Sequence, residues 1–98
     1  MRLIYTSEAR IEIIEAGAYY RRVSKELARE FKQRLAAALE DCRKHPETWR
    51  RLDEKYRRKL MKQFSYGVID HLPEPECVEV VAVMHFSREP DYGRGRSV

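Results

Sequence analysis

Seven apolar residues between Ser24 and His45 recur at helical spacing: Leu27, Ala28, Phe31, Leu35, Ala38, Leu39 and Cys42. They make one stripe about five turns long, while Arg29, Glu30, Lys32, Arg34, Glu40, Asp41 and Arg43 occupy the other face. Such a helix gains little from propensity alone and holds only if the stripe is buried against another element. Ser24 is its N-cap candidate. His45-Pro46 ends it, because proline disfavours helix at the residue before it. The rest of the chain must therefore supply an apolar surface that fits one long helix.

Two further patterns supply it. Residues 2–5 read as a short strand closed by Thr6-Ser7, with Ser7 as N-cap and Glu8 in the first turn of a helix ending near Arg22. That helix puts Ala9, Ile13, Ala16, Gly17 and Tyr20 on one face. Gly17 costs about 1 kcal/mol against alanine, which implies a close helix crossing or contact with the sheet at that point. With almost no loop before Ser24, the two helices form an antiparallel hairpin. Beyond Pro46 the apolar period drops towards two. Residues 57–62 are charged and read as an edge strand. Residues 64–72 alternate Phe64, Tyr66 and Val68 on one face, and residues 77–86 form an apolar, β-branched run. Pro73-Glu74-Pro75-Glu76 reads as a stiff connection without a tight two-residue turn. Trp49, in the polar segment before these strands, reads as a lid on the core or as a stacking platform for a base.

The expected class is α+β in the order β-α-α-β-β-β, with a helical hairpin packed on one face of a small, mainly antiparallel sheet. The other face is expected to meet solvent, a partner or a substrate. At 98 residues the chain is one domain, 1–98, with residues 93–98 expected to fray. The formal charge of +4 favours an acidic partner. Seven cations lie between Arg50 and Lys62 against Asp53 and Glu54. Cys42 and Cys77 lack CxxC spacing and read as small core hydrophobes. The start of the chain has too short an apolar run for a signal peptide, and no segment reaches membrane-spanning length, so a cytoplasmic setting is expected. No metal-ligand spacing, Gly-rich phosphate loop or serine elbow is present, and no metal or cofactor is expected.

Chemistry concentrates at the end, VVAVMHFSREPDYGRGR, residues 80–96. His85, Arg88 and Tyr92 are the catalytic candidates. Arg57, Arg58, Lys59, Lys62, Arg94 and Arg96 are the candidates for holding a polyanion. Metal-free RNA cleavage needs a proton taken from the 2′-OH, cationic support for the phosphorane and a proton given to the 5′-oxygen. An imidazole suits the proton transfers, a phenol does so beside cations, and Arg88 and Arg58 could clamp phosphate oxygens in bidentate fashion. The plainer readings are a hydrogen-bonded strand-end histidine, a packed C-terminal tyrosine and a solvated basic edge. His45 and His71 read as helix-end and surface residues.

The ordered set YTSEA (5–9), AYYRRVSKELAREF (18–31), HPETW (45–49), RRKLMKQFSYGVID (57–70) and AVMHFSREPDY (82–92) resembles the RelE/ParE superfamily of toxins from bacterial type II toxin–antitoxin pairs. The resemblance implies a sheet in which the N-terminal strand lies beside the C-terminal one, and a groove filled by the antitoxin. It implies activity less uniformly. Tyr92, Arg88 and His85 match positions of the ribosome-dependent RNase branch, whereas Gln63-Phe64-Ser65 and Phe86 stand where that branch has arginines. The FSY sequence is closer to the FPY of ParE-like members, which resemble gyrase poisons with no known chemistry of their own. Three functions follow: cleavage of mRNA on the ribosome, binding of DNA gyrase without chemistry, or a weakly toxic antitoxin-binding module. Each implies a cognate acidic, partly disordered antitoxin, with operator DNA touched only through it.

Overall fold

The computed structural model describes residues 1–47 and 50–85. The elements are β1 (Arg2–Tyr5), α1 (Ser7–Val23), α2 (Lys25–Lys44), β2 (Arg50–Arg51), β3 (Arg57–Leu60), β4 (Tyr66–Glu74) and β5 (Cys77–His85). The sheet has the order β1-β5-β4-β3-β2. β1 pairs in parallel with β5, and the other pairings are antiparallel. The expected α+β class and the pairing of first with last strand are both observed, with one addition. Arg50 and Arg51 pair with Arg58 and Arg57, so the outermost strand is β2, and β3 is an edge only at Lys59 and Leu60. Two residues carry no readable period, which is why β2 was not legible in the sequence.

The helices end where their caps dictate. Ser24 accepts a hydrogen bond from the Leu27 amide at 2.9 Å while its own N–H donates to the Tyr20 carbonyl, so one residue closes α1 and opens α2. At the start of α1 the cap is Thr6 and not Ser7: Thr6 Oγ1 accepts from the Ala9 amide at 3.1 Å, and the Ser7 hydroxyl turns to Glu8. Thr6 is in extended backbone, as a cap requires, and Ser7 is already helical. Gly17 is not a close-crossing residue. A Cβ there would meet nothing nearer than the end of Arg21, at 3.9 Å. Gly17→Ala is therefore expected to stabilise the fold by about 0.5–1 kcal/mol, read as a rise in the urea midpoint; a fall would mean that the groove beside it needs the space.

One face of the sheet meets the hairpin. Ala9 and Ala16 of α1, Phe31, Leu35, Ala38 and Cys42 of α2, and Met61, Val68, Val80 and Val83 from the sheet side form the main core. The irregular register between Ile69 and Asp70 makes this possible: Ile69 pairs with Ala82 but Asp70 with Val80, leaving Val81 as the extra residue of a bulge. Strict alternation would put Val80 and Val83 on opposite faces; the bulge brings both to the helices. The far face is also buried, by a second cluster of Tyr56, Ile69, Val81, Ala82 and Met84 with Leu52 beside it. Of the expected occupants of this face, solvent, a partner or a substrate, none is needed to cover these residues, because Tyr56 and Leu52 of the chain itself pack there.

Two further expectations are corrected. β4 and β5 are joined by only Pro75 and Glu76, between the paired Glu74 and Cys77. The fixed φ of proline suits the first position of a turn, and the irregular pairing between His71 and Glu74 absorbs the mismatch with strand twist. His71 is not a surface residue: it is 3% exposed, on the far face, with Nε2 at 2.8 Å from Glu79 Oε1 and its ring 5.5 Å from that of Tyr56. Both cysteines are buried, unpaired thiols. Trp49, the expected lid, lies outside the described residues.

Candidate functional site

β5 is longer than the strand beside it. β1 pairs only as far as Tyr5 with Val80, and the last half of β5 continues past it. Side chains of the α1 region take over its hydrogen-bonding groups. Thr6 Oγ1 donates to the Val81 carbonyl at 3.3 Å, and the Val83 amide donates to Glu12 Oε1 at 3.0 Å. A carboxylate from a helix thus stands where a neighbouring strand would otherwise place a carbonyl. This fixes α1 against the end of β5 and sets what surrounds His85.

His85 is the last residue of β5 and pairs with Tyr66, whose ring meets the imidazole edge-on at 5.4 Å. Both lie on the helix side, around a hollow of about 170 Å³ lined also by Glu12, Glu15, Tyr19 and Val83. Sequence reasoning missed these neighbours. The available signal was that Glu12, Ala16 and Tyr19 share one face of α1 at i, i+4 and i+7. The described wall of the hollow carries two carboxylates and no lysine or arginine.

The basic residues of β3 go elsewhere. Arg57 stands opposite Asp70 and Lys59 opposite Val68, on the helix side. Lys59 Nζ is 3.7 Å from Asp41 Oδ2 on α2, and the Arg57 guanidinium attracts the buried Asp70 carboxyl. Arg58 stands opposite Ile69, which belongs to the far-face cluster, so its side chain leaves from the side of the sheet opposite His85. Lys62, just past β3, borders a small cleft against α2 with Arg34 and Lys59. Among the described candidates, then, His85 and the β3 cations do not share a pocket. Arg88, Tyr92, Arg94 and Arg96 lie outside the described residues.

A second hollow, of about 450 Å³, runs between the helices. Ile13, Ile14, Ala28, Phe31 and Leu35 form its apolar floor, and Arg21, Arg29 and Lys32 border it. Ile14 is 67% exposed, a large apolar side chain left without cover. Among the described residues, no group of three or more His, Cys, Asp or Glu side chains is placed to hold a metal ion, and no helix is long and apolar enough to cross a membrane.

Comparison with known proteins adds two findings. Residues 3–90 match the family described as ParE toxin of the type II toxin–antitoxin system parDE. Among solved structures, one that matches is a chromosomal ParDE toxin–antitoxin system from P. aeruginosa, with 12% identity and a TM-score of 0.74, covering 87% of this chain and 95% of that one. At that identity the likeness shows the fold. No curated protein sequence matches the chain.

Proposed function

The chain belongs to the ParE toxin family of type II toxin–antitoxin systems, and from that premise we propose that it arrests growth by binding a large target, DNA gyrase, without chemistry of its own. The observation that carries this reading is the separation of the charges. Cleavage of a phosphodiester without a metal requires cations around the proton-transfer groups, whereas the described neighbours of His85 are Glu12, Glu15 and two tyrosines. The β3 cations are committed to Asp70 and Asp41 or face away. The aromatic side chains of this rim, Tyr19 and Tyr66, suit recognition of a protein surface.

The cognate antitoxin, acidic and partly disordered, lays an amphipathic segment in the groove between α1 and α2. The apolar floor takes its hydrophobic face, and Arg21, Arg29 and Lys32 meet its carboxylates. Operator DNA is contacted through the antitoxin, and the pair acts in the cytoplasm.

The test is induction of the toxin alone, with translation and DNA supercoiling followed in parallel and repeated for His85→Ala and Tyr92→Phe. Supercoiling is expected to fail while ribosome-bound transcripts stay intact. Cut transcripts that become whole with His85→Ala would replace this reading with the ribonuclease one, in which His85, Arg88 and Tyr92 act on RNA held by Arg57, Arg58, Lys59, Lys62, Arg94 and Arg96. Normal growth on induction would leave only an antitoxin-binding module.

A further inference from the structure

We propose that the cleft between α2 and the β3–β4 connection is an anion site that takes a backbone phosphate of duplex DNA, so that the toxin touches the DNA held by its target as well as the target protein. This inference rests on the gyrase reading above, since gyrase works on duplex DNA. The cleft is lined by Arg34, Ala37, Ala38 and Asp41 of α2 and by residues 59–62. Its volume is about 100 Å³, room for about three waters at the density of the liquid and so enough for a phosphate group. Three cations, Arg34, Lys59 and Lys62, border it against one carboxylate, Asp41.

The cleft is held open by anchored parts. The Met61 amide donates to the Tyr66 carbonyl at 3.0 Å, closing the connection into a tight loop. Met61 is buried and Phe64 packs into the main core, which pins the loop from below. Between them Gln63 takes a positive φ of 69°, rare for a residue with a side chain. Its amide oxygen accepts from Arg34 Nε at 3.1 Å. That bond uses the inner nitrogen of the guanidinium and leaves the outer pair for bidentate contact with phosphate oxygens. Lys59 stays paired with Asp41 at 3.7 Å and so neutralises the one carboxylate on the cleft wall, leaving Arg34 and Lys62 to meet the anion. Between Arg34 and Asp41, only Ala37 and the buried Ala38 of α2 line the cleft. Short side chains there let a rigid backbone approach the helix.

The consequence is sequence-independent, salt-sensitive binding of DNA by the toxin itself. The experiment is fluorescence anisotropy of the full chain with a labelled mixed-sequence duplex, repeated over a range of salt. Arg34→Gln and Lys62→Gln are each expected to weaken binding several-fold and to lower the slope of log K against log[salt] by about 0.9. Gln63→Gly relieves the backbone and keeps every charge, yet is expected to weaken binding because Arg34 loses its tether. Arg22→Gln removes the same single charge elsewhere and is expected to change little. An equal loss in that control would reduce the site to bulk charge and overturn the proposal. Absence of binding at low salt, or tighter binding of single-stranded RNA of the same length, would overturn it too. Supercoiling that continues at high toxin concentration while this pattern holds would sink the gyrase reading and leave the DNA site standing.

Discussion

Phe31→Ala is expected to cost about 3–5 kcal/mol of folding stability, the range for truncating a buried phenylalanine. Phe31 is 2% exposed and sits at the junction of three elements and a loop. Its ring stacks on Tyr20 of α1 at 4.8 Å and meets Phe64 and Tyr66 edge-on at 5.1 and 5.4 Å. Tyr20 in turn meets Phe64 at 5.1 Å, so four rings tie both helices to the β3–β4 connection and to β4. Removing the central ring leaves a hole that its rigid neighbours cannot close by rotating. A domain of this size has about 5–15 kcal/mol to lose, so the variant should melt at least about 12 °C lower. Urea unfolding followed by circular dichroism measures it. Phe31→Leu should lose clearly less, and a loss below about 1 kcal/mol for alanine would show that the ring cluster does not hold the hairpin to the sheet. The effect should reach His85, because Tyr66 is both a member of the cluster and the neighbour of the imidazole.

The helical half of this fold was legible because its signals are local. The stripe from Leu27 to Cys42, the serine between the helices and the proline after His45 each act within a few residues, and the structure uses all three. The misplaced cap, Thr6 for Ser7, is a one-residue error between two good capping residues. The sheet was legible in its order but not in its faces. Alternation from Phe64 to Val68 correctly marks the helix side, yet nothing local says that the other side is buried too, and so His71 was misread with it. The bulge at Val81 was equally hidden: in a run of five apolar residues, no residue type marks which one is extra. The site was legible only as a list of reactive side chains. That Glu12 and Tyr19 would face His85 depends on where α1 crosses β5, a contact between residues some 70 positions apart. Strand parity sends Arg58 to the side opposite His85, whereas Arg57 and Lys59 share its side and are drawn instead to Asp70 and Asp41, partners that only the folded chain brings near.

Asp70→Asn is expected to make the protein more stable at neutral pH, a result the same parity explains. Two residues beyond Val68 on β4, Asp70 points at the helices and is 1% exposed. Among the described residues, its Oδ1 has no hydrogen-bond partner, and nor does Arg57 Nε, also buried. The groups facing it are the Cys42 thiol from α2 and the Arg57 guanidinium from β3, with the Lys59–Asp41 pair close by. Burial pushes the carboxyl from 3.8 up to about 6; the thiol hydrogen bond and Arg57 pull the other way without prevailing. Burial, with Asp70 beside it, drives the Cys42 thiol upward as well, so that thiol stays protonated and unreactive. A carboxyl with a raised folded-state pKa binds its proton more tightly in the native state. Its contribution is therefore fully present below pH 3.8 and is lost as the pH rises through about 6. A shift of about two units corresponds to about 3 kcal/mol, to be reduced because Arg57 loses its counter-charge in the variant. Asparagine keeps the shape and removes the charge, so the gain should be about 1–3 kcal/mol at pH 7.5 and close to nothing at pH 4. Urea midpoints of both proteins at pH 4, 6 and 7.5 test this. Wild type should lose stability relative to the variant across that interval, and parallel curves, or a variant weaker at pH 7.5, would mean that Arg57 already neutralises the buried carboxylate.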